Sequence, residues 1–159
     1  MNKYLLAKDT INGASGNIFV TIDGNVYQAA CMRNIRADAE VQTVDMGVIG
    51  TTKKQKKPAG TLMSGSGNIY YGNNLWTDMV MEYMKTGKMK TFTLQITNDD
   101  PTTSLGRQTM TFYNCMLTGT IPLAVLNMDE AMLNYDFNFT YTNVERMDAF
   151  TDPTQYGSD

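Results

Sequence analysis

The segment that most restricts the fold is residues 134–142, where Tyr135, Phe137, Phe139 and Tyr141 alternate with Asn134, Asp136, Asn138 and Thr140. A period of two puts successive side chains on opposite faces of an extended strand, so the four rings share one face and the four polar groups the other. A helix, with about 3.6 residues per turn, would scatter the rings around its axis. The aromatic face has to be buried, so this strand belongs to a sheet with a packed side.

The same alternation recurs along the chain. In residues 34–43, Ile35, Ala37, Ala39 and Val41 form a dry face, and Asn34, Arg36, Asp38, Glu40 and Gln42 form a wholly wet one. In residues 17–30, Ile18, Val20 and Ile22 alternate up to Asp23-Gly24, and Val26, Gln28 and Ala30 resume beyond it. That is a hairpin with a type I′ turn. Residues 61–71 are strand-like but carry Ser64, Gly65, Ser66 and Gly67. Close packing against a neighbouring strand explains them better than a phosphate-cradling loop, because no lysine-serine pair or helix start follows. A basic loop over residues 51–58 separates these two strands. Phe92, Leu94 and Ile96 alternate into the turn Asn98-Asp99-Asp100-Pro101, and residues 108–117 alternate on its far side. Residues 121–126 are short and apolar.

One helix stands out. Asn74 can cap it, Leu75, Met79, Val80, Tyr83 and Met84 fall at helical spacing, and Gly87 supplies the stop. The expected fold is therefore mainly β, an antiparallel barrel or sandwich of roughly seven or eight strands with one short flanking helix. At 159 residues the chain is read as one domain over residues 1–159, with residues 151–159 as a polar tail. Left alone, such a sheet would expose long edges, which self-assembly or barrel closure removes.

The content of 42% hydrophobic and 18% charged residues argues against intrinsic disorder. A net charge of −3 lacks the basic footprint of a general nucleic-acid binder. Cys31 and Cys115 fit no metal spacing, and a reduced, cytosolic site of synthesis is expected. The start MNKYLLA lacks the features of a secretory signal, and no apolar run approaches a membrane span, so no membrane anchor is expected.

The chain has no histidine, which removes the commonest general base and the usual Ser-His and Cys-His nucleophile pairs. No catalytic residue, metal or cofactor is expected. Asp99-Asp100 reads as a turn before Pro101 rather than as a carboxylate pair or calcium loop. The thirteen methionines suit a core or a contact surface that must repack. The run Lys53, Lys54, Lys56 and Lys57 is the candidate for a charge-paired contact between subunits.

Five segments, in order, resemble the tail tube proteins of contractile-tailed phages and phage-tail-like bacteriocins, especially those of Gram-positive prophages. They are ASGNIFVTIDGNVYQA (14–29), KKPAGTLMSGSGNIYY (56–71), MVMEYMKTGK (79–88), TLQITNDDPTTSLGRQTMTF (93–112) and NFTYTNVERMDAF (138–150). The strand, NDDPTTSLGRQ turn and strand arrangement is the most specific. The chain departs from the family pattern beyond Phe150 and in its methionine richness.

The resemblance implies a homo-hexameric ring, with rings stacked into a hollow tube that sheath contraction drives through a target envelope. In such tubes the long strands join in a continuous inner barrel. Asn34, Arg36, Asp38, Glu40 and Gln42 then face the lumen, where their net negative charge would let DNA slide, and the lysine loop meets Asp129 and Glu130 of the next ring. The implied partners are further copies, the sheath protein, baseplate tube initiators, a tape measure and a terminator. DNA passes if the particle is a phage; a bacteriocin opens a pore instead. The implied location is a virion tail or bacteriocin particle assembled in the bacterial cytoplasm. A type VI secretion-like tube and a monomeric β-sandwich binding module are the alternatives. A glycan-binding module would expose aromatics on a concave face, whereas Trp76 stands at a helix start, where burial is expected.

Overall fold

The computed structural model describes residues 5–29 and 31–152. Eight strands and one α-helix follow in the order β1 (Gly16–Ile22), β2 (Asn25–Gln28), β3 (Met32–Met46), β4 (Gln55–Tyr70), α1 (Leu75–Thr86), β5 (Phe92–Asp99), β6 (Arg107–Thr118), β7 (Asn134–Thr140) and β8 (Asn143–Asp148). All pairings are antiparallel, along the path β2-β1-β5-β6-β7-β4-β3, with β8 on β6. The path does not close, so the expected barrel is left open in the single chain, with β2 and β3 at its ends.

The β1–β2 turn is the predicted one: Asp23 (φ 50°) and Gly24 (φ 81°) both take the left-handed conformation that type I′ needs. Ala30, placed in that hairpin by the sequence, lies outside the described residues, as do 153–159 of the predicted tail. The alternation of β6 is interrupted at Asn114 (φ 55°), beside the slip in the β5 register. Below this break β6 pairs with β8, and above it with β7. One strand thereby joins the two halves of the sheet. Residues 121–126 form no strand.

The core lies where α1 covers the aromatic face of β7. Trp76 is fully buried, its ring centroid 5.0 Å from Phe92 and 5.2 Å from Phe137, and Phe137 stacks on Phe139. The helix differs from expectation at its start and in the face it buries. The side chain of Asn73, not Asn74, accepts the Leu75 N–H at 2.7 Å, because Asn74 is already helical. Tyr83 and Met84 face solvent, and Trp76 and Met79 make the buried contact. Gly87 ends the helix in the left-handed conformation (φ 74°) and donates its N–H to the Tyr83 carbonyl, as anticipated.

The NDDPTTSLGRQ turn has a structural task. The Asp100 carboxylate accepts hydrogen bonds from the Asn12 N–H (2.8 Å), the Thr102 N–H (2.9 Å) and the Thr102 hydroxyl (2.7 Å). Ser104 donates its hydroxyl to Asp9 and its N–H to the Lys8 carbonyl. The loop thus laces the N-terminal segment to the β5–β6 hairpin. The Thr102 hydroxyl and N–H, with the Asn12 N–H, hold the Asp100 carboxyl below the usual carboxylate range.

Candidate assembly surface

The glycines of β4 are explained by what lies over them. A Cβ built on Gly65 would fall 2.3 Å from Cζ of Phe139 and 2.6 Å from the Arg36 carbonyl oxygen. One built on Gly67 would fall 2.7 Å from both Cζ of Phe137 and the Asn34 carbonyl oxygen. The ring ends of Phe137 and Phe139 on β7 therefore reach over β4, and only glycine leaves room. The close strand packing read from the sequence is what these positions do.

Fixing β4 in this way sets the opposite face. Cross-strand partners share a face of the sheet. The register pairs Asn34 with Asn68, Arg36 with Ser66 and Asp38 with Ser64. It then pairs Asn68 with Asp136, Ser66 with Asn138 and Ser64 with Thr140, and Asn138 with Thr118 on β6. The exposed polar set Asn34, Arg36, Asp38, Glu40 and Gln42 is thus one column of a four-strand polar surface.

On this surface Arg36 pairs with Asp38 at 2.8 Å, and that hydrogen bond holds the guanidinium above its ordinary pKa. Glu40 and Asp136 have no ion-pair partner among the described residues, and the Arg33 guanidinium, which donates to the Asn68 side-chain oxygen at 3.5 Å, adds a cation at the base. Asn68 knits the base by donating to Asp136 (2.9 Å) and Asn134 (3.1 Å). Asp136 and Asn138 were visible in the sequence as a wet face, but only the register shows that they share a surface with the β3 set, with Asn68 and Ser66 of β4 between them.

Beyond this base the β3–β4 hairpin projects alone. The β4–β7 pairing stops at Ser64↔Thr140, whereas β4 pairs with β3 out to Met46↔Gln55. From Met63 to Gln55 the two-stranded ribbon runs for about 30 Å with no other strand partner among the described residues. A ribbon of this kind is marginal in water unless something covers it.

Three expectations are corrected here. The dry face of residues 34–43 is half-buried only at Ile35 and Ala37; Ala39 is exposed and Val41 is 60% exposed, because nothing in the chain reaches so far out. The basic loop is shorter than 51–58, since Lys56, Lys57 and Pro58 belong to β4 and only Lys53 and Lys54 stand in the turn. Lys56 already meets Asp45 across the ribbon at 3.5 Å, a consequence of the strand extending further than its polar sequence suggested. Near the tip the polar face becomes mixed, with Leu62 opposite Glu40, Val44 opposite Lys57 and Met46 opposite Gln55.

Burial pushes the Cys115 thiol up to about 12, so it stays protonated and inert. The Lys90 ammonium, pushed up to about 12 by hydrogen bonds to Asp23 and Glu82, pins the β1–β2 turn to α1.

An open sheet whose longest hairpin has free edges, one polar face and an exposed apolar face fits the class of structural subunits that work by assembly. The comparisons agree. A family profile described as phage tail tube protein matches residues 3–148, and the chain belongs to that family as a tail tube subunit. The chain is 25% identical to the phage-like element PBSX protein XkdM of Bacillus subtilis (strain 168), over 93% of this chain and 97% of that one. It is 26% identical to YqbM of the same strain, over 89% and 92%. Among solved structures, its fold matches a chain of the sheath/tube terminator of an extracellular contractile injection system. That match has a TM-score of 0.63 at 11% identity, over 90% of this chain and 100% of that one. A chain of the sheath-tube complex of the same kind of system gives 0.62 at 11% identity, over 87% and 91%.

Proposed function

We propose that six copies of this chain close into a ring, and that rings stack into the hollow inner tube of a contractile tail, without enzymatic activity. The observation that carries this reading is the β3–β4 hairpin, whose edges and apolar outer face have no partner in the chain. Side-by-side hairpins would give each free edge a neighbour and join the polar surfaces into one lining. Asn34, Arg36, Asp38, Glu40 and Gln42 then face the lumen, together with Asp136 and Asn138. Its excess of carboxylates and its uncharged amides and hydroxyls would hold neither a phosphate backbone nor a polypeptide tightly.

The similar solved chains come from sheath-tube, terminator and baseplate assemblies. By analogy this tube is gripped outside by a sheath, started on a baseplate, measured by an internal tape and capped by a terminator. Its place is the tail of a virion or a tail-like particle assembled in the bacterial cytoplasm. Lys53 and Lys54 at the hairpin tip, with Lys56 and Lys57 behind them, are the candidate contacts to the next ring.

Negative-stain electron microscopy of the purified protein at rising concentration, with size-exclusion chromatography, tests the reading. Hollow tubes or six-fold rings support it; a monomer at every concentration, even with a baseplate seed, favours a monomeric binding module. For the lining, reversing Asp38 and Glu40 to lysine in a DNA-containing particle should slow ejection while leaving tubes intact. Unchanged ejection would remove the lining's electrostatic role.

A further inference from the structure

Asn12-Gly13 is the one Asn-Gly pair in the chain. In such a pair the glycine nitrogen sits beside the asparagine carboxamide, and glycine has no side chain to hold the two apart. The structure leaves the pair in water: Asn12, Gly13 and Ala14 are exposed in the turn that precedes β1. A Cβ built on Gly13 would meet nothing within 4 Å, so solvent reaches the nitrogen freely.

The turn holds the carboxamide for attack. The Asn12 side-chain oxygen accepts the Ala14 N–H at 2.9 Å, which draws electrons from the carboxamide carbon and folds it back over the Gly13 peptide. The Gly13 N–H makes no hydrogen bond among the described residues, so nothing competes for its nitrogen. The Asn12 N–H donates to the Asp100 carboxylate at 2.8 Å, which fixes the residue from the other side.

We propose that Asn12 is a deamidation site, at which the chain modifies itself and irreversibly loosens its own N-terminal lacing. The Gly13 nitrogen, after losing its proton to solvent, attacks Cγ of Asn12. The new N–Cγ bond closes a cyclic imide, the Cγ–Nδ2 bond breaks, and Nδ2 takes a proton from solvent and leaves as ammonia. Water then opens the ring. Breaking the new N–Cγ bond gives aspartate. Breaking the bond between the Gly13 nitrogen and the main-chain carbonyl carbon of residue 12 gives isoaspartate, in which the chain runs through the former side chain and is one methylene longer. Nothing is oxidised or reduced, and water is the only co-reactant.

The effect follows from where the segment is anchored. Upstream, the Asn12 N–H is held by Asp100. Downstream, the Ser15 N–H donates to the Asn12 carbonyl at 3.1 Å, and the Ser15 carbonyl accepts the Asp99 N–H at 3.3 Å. Gly16 then lies so close to β5 that a Cβ there would run into the Thr97 carbonyl oxygen, so β1 has no slack to give. A methylene added between these anchors has to be absorbed by the hydrogen bonds at Asn12 and Ser15. Either product also sets a second carboxylate near that of Asp100, and like charges oppose the contact.

The test is to age the purified full chain in warm, mildly alkaline buffer and digest samples with trypsin for mass spectrometry. The peptide from Asp9 to Arg33 should gain the mass of an OH-for-NH2 exchange, placed at residue 12 by fragmentation, and should become a substrate for isoaspartyl methyltransferase. Gly13→Ala, for which the turn has room, should slow that gain by about tenfold or more, because a Cβ crowds the attacking nitrogen. Ageing should lower the melting temperature of the unaltered chain by about 5 °C, the shift expected for losing one or two hydrogen bonds, and leave that of Gly13→Ala where it was. Asn12→Asp, which adds the charge without the methylene, should melt above the aged protein. No mass gain at residue 12, or an equal rate in Gly13→Ala, would overturn the site. A full mass gain with an unchanged melt would overturn the loosening, and an equally low melt for Asn12→Asp would overturn the part assigned to the longer chain.

Discussion

The two halves of β4 are one strand with opposite fates. From Ser64 to Tyr70 it is paired on both edges and its glycines lie under the rings of Phe137 and Phe139. From Gln55 to Met63 it is paired on one edge only and nearly all of it is exposed. The inner half is finished by its own chain, and the outer half is left open. Stability and assembly are therefore written into different residues of the same hairpin, and each can be disturbed without the other.

The largest effect should come from the inner half. Gly65→Val forces a branched side chain into space held by Phe139 and the Arg36 carbonyl. It should cost about 3 kcal/mol or more and lower the melting temperature by about 10 °C, read by circular dichroism. An unchanged melt would mean that the rings are free to leave β4, and the contrast between the halves would be lost.

A smaller effect belongs to the N-terminal lacing. Because the Asp100 pKa is depressed in the folded state, its contribution is present above the ordinary carboxylate value. It is lost as pH falls below about 4 through the depressed value. Asp100→Asn should thus lower the melting temperature at neutral pH, and the gap to the unaltered protein should narrow in acid. A gap that stays constant down to that range would show that the charge of Asp100 is not what holds the loop.

The smallest effect on folding should come from the outer half. Val41→Thr, at an exposed site on the ribbon, should change monomer stability by no more than about 0.5 kcal/mol. Under the proposed ring it should still raise the concentration needed for assembly. A melt lowered as far as by Gly65→Val would erase the distinction between the two halves.

Much of the inner region was legible in the chain itself. The rings of β7, the Asp23-Gly24 turn and the stop at Gly87 depend on neighbours in sequence, and local geometry leaves them few alternatives. The outer ribbon was legible as alternation but not as burial. Ala39 and Val41 carry the pattern of a buried face, yet nothing among the described residues covers them, and the proposed ring assigns their cover to another copy. The length of β4 was missed for a related reason: Lys56, Lys57 and Pro58 look like a loop because they suit an unprotected edge, where charge and proline discourage mispairing.

The sequence alone determined a β-rich domain with one helix, an aromatic seam and a polar strand face, because side-chain periodicity reports directly on which face is dry. It also carried the resemblance to tail tube proteins. Only the tertiary structure decided that the sheet stays open and that Asp136 and Asn138 stand beside Asn68 and Ser66 of β4. It also showed that Asp100 holds Asn12, and that the outer ribbon is left bare on one chain. These depend on register and on which partners are absent, and both are set by contacts between residues far apart in sequence.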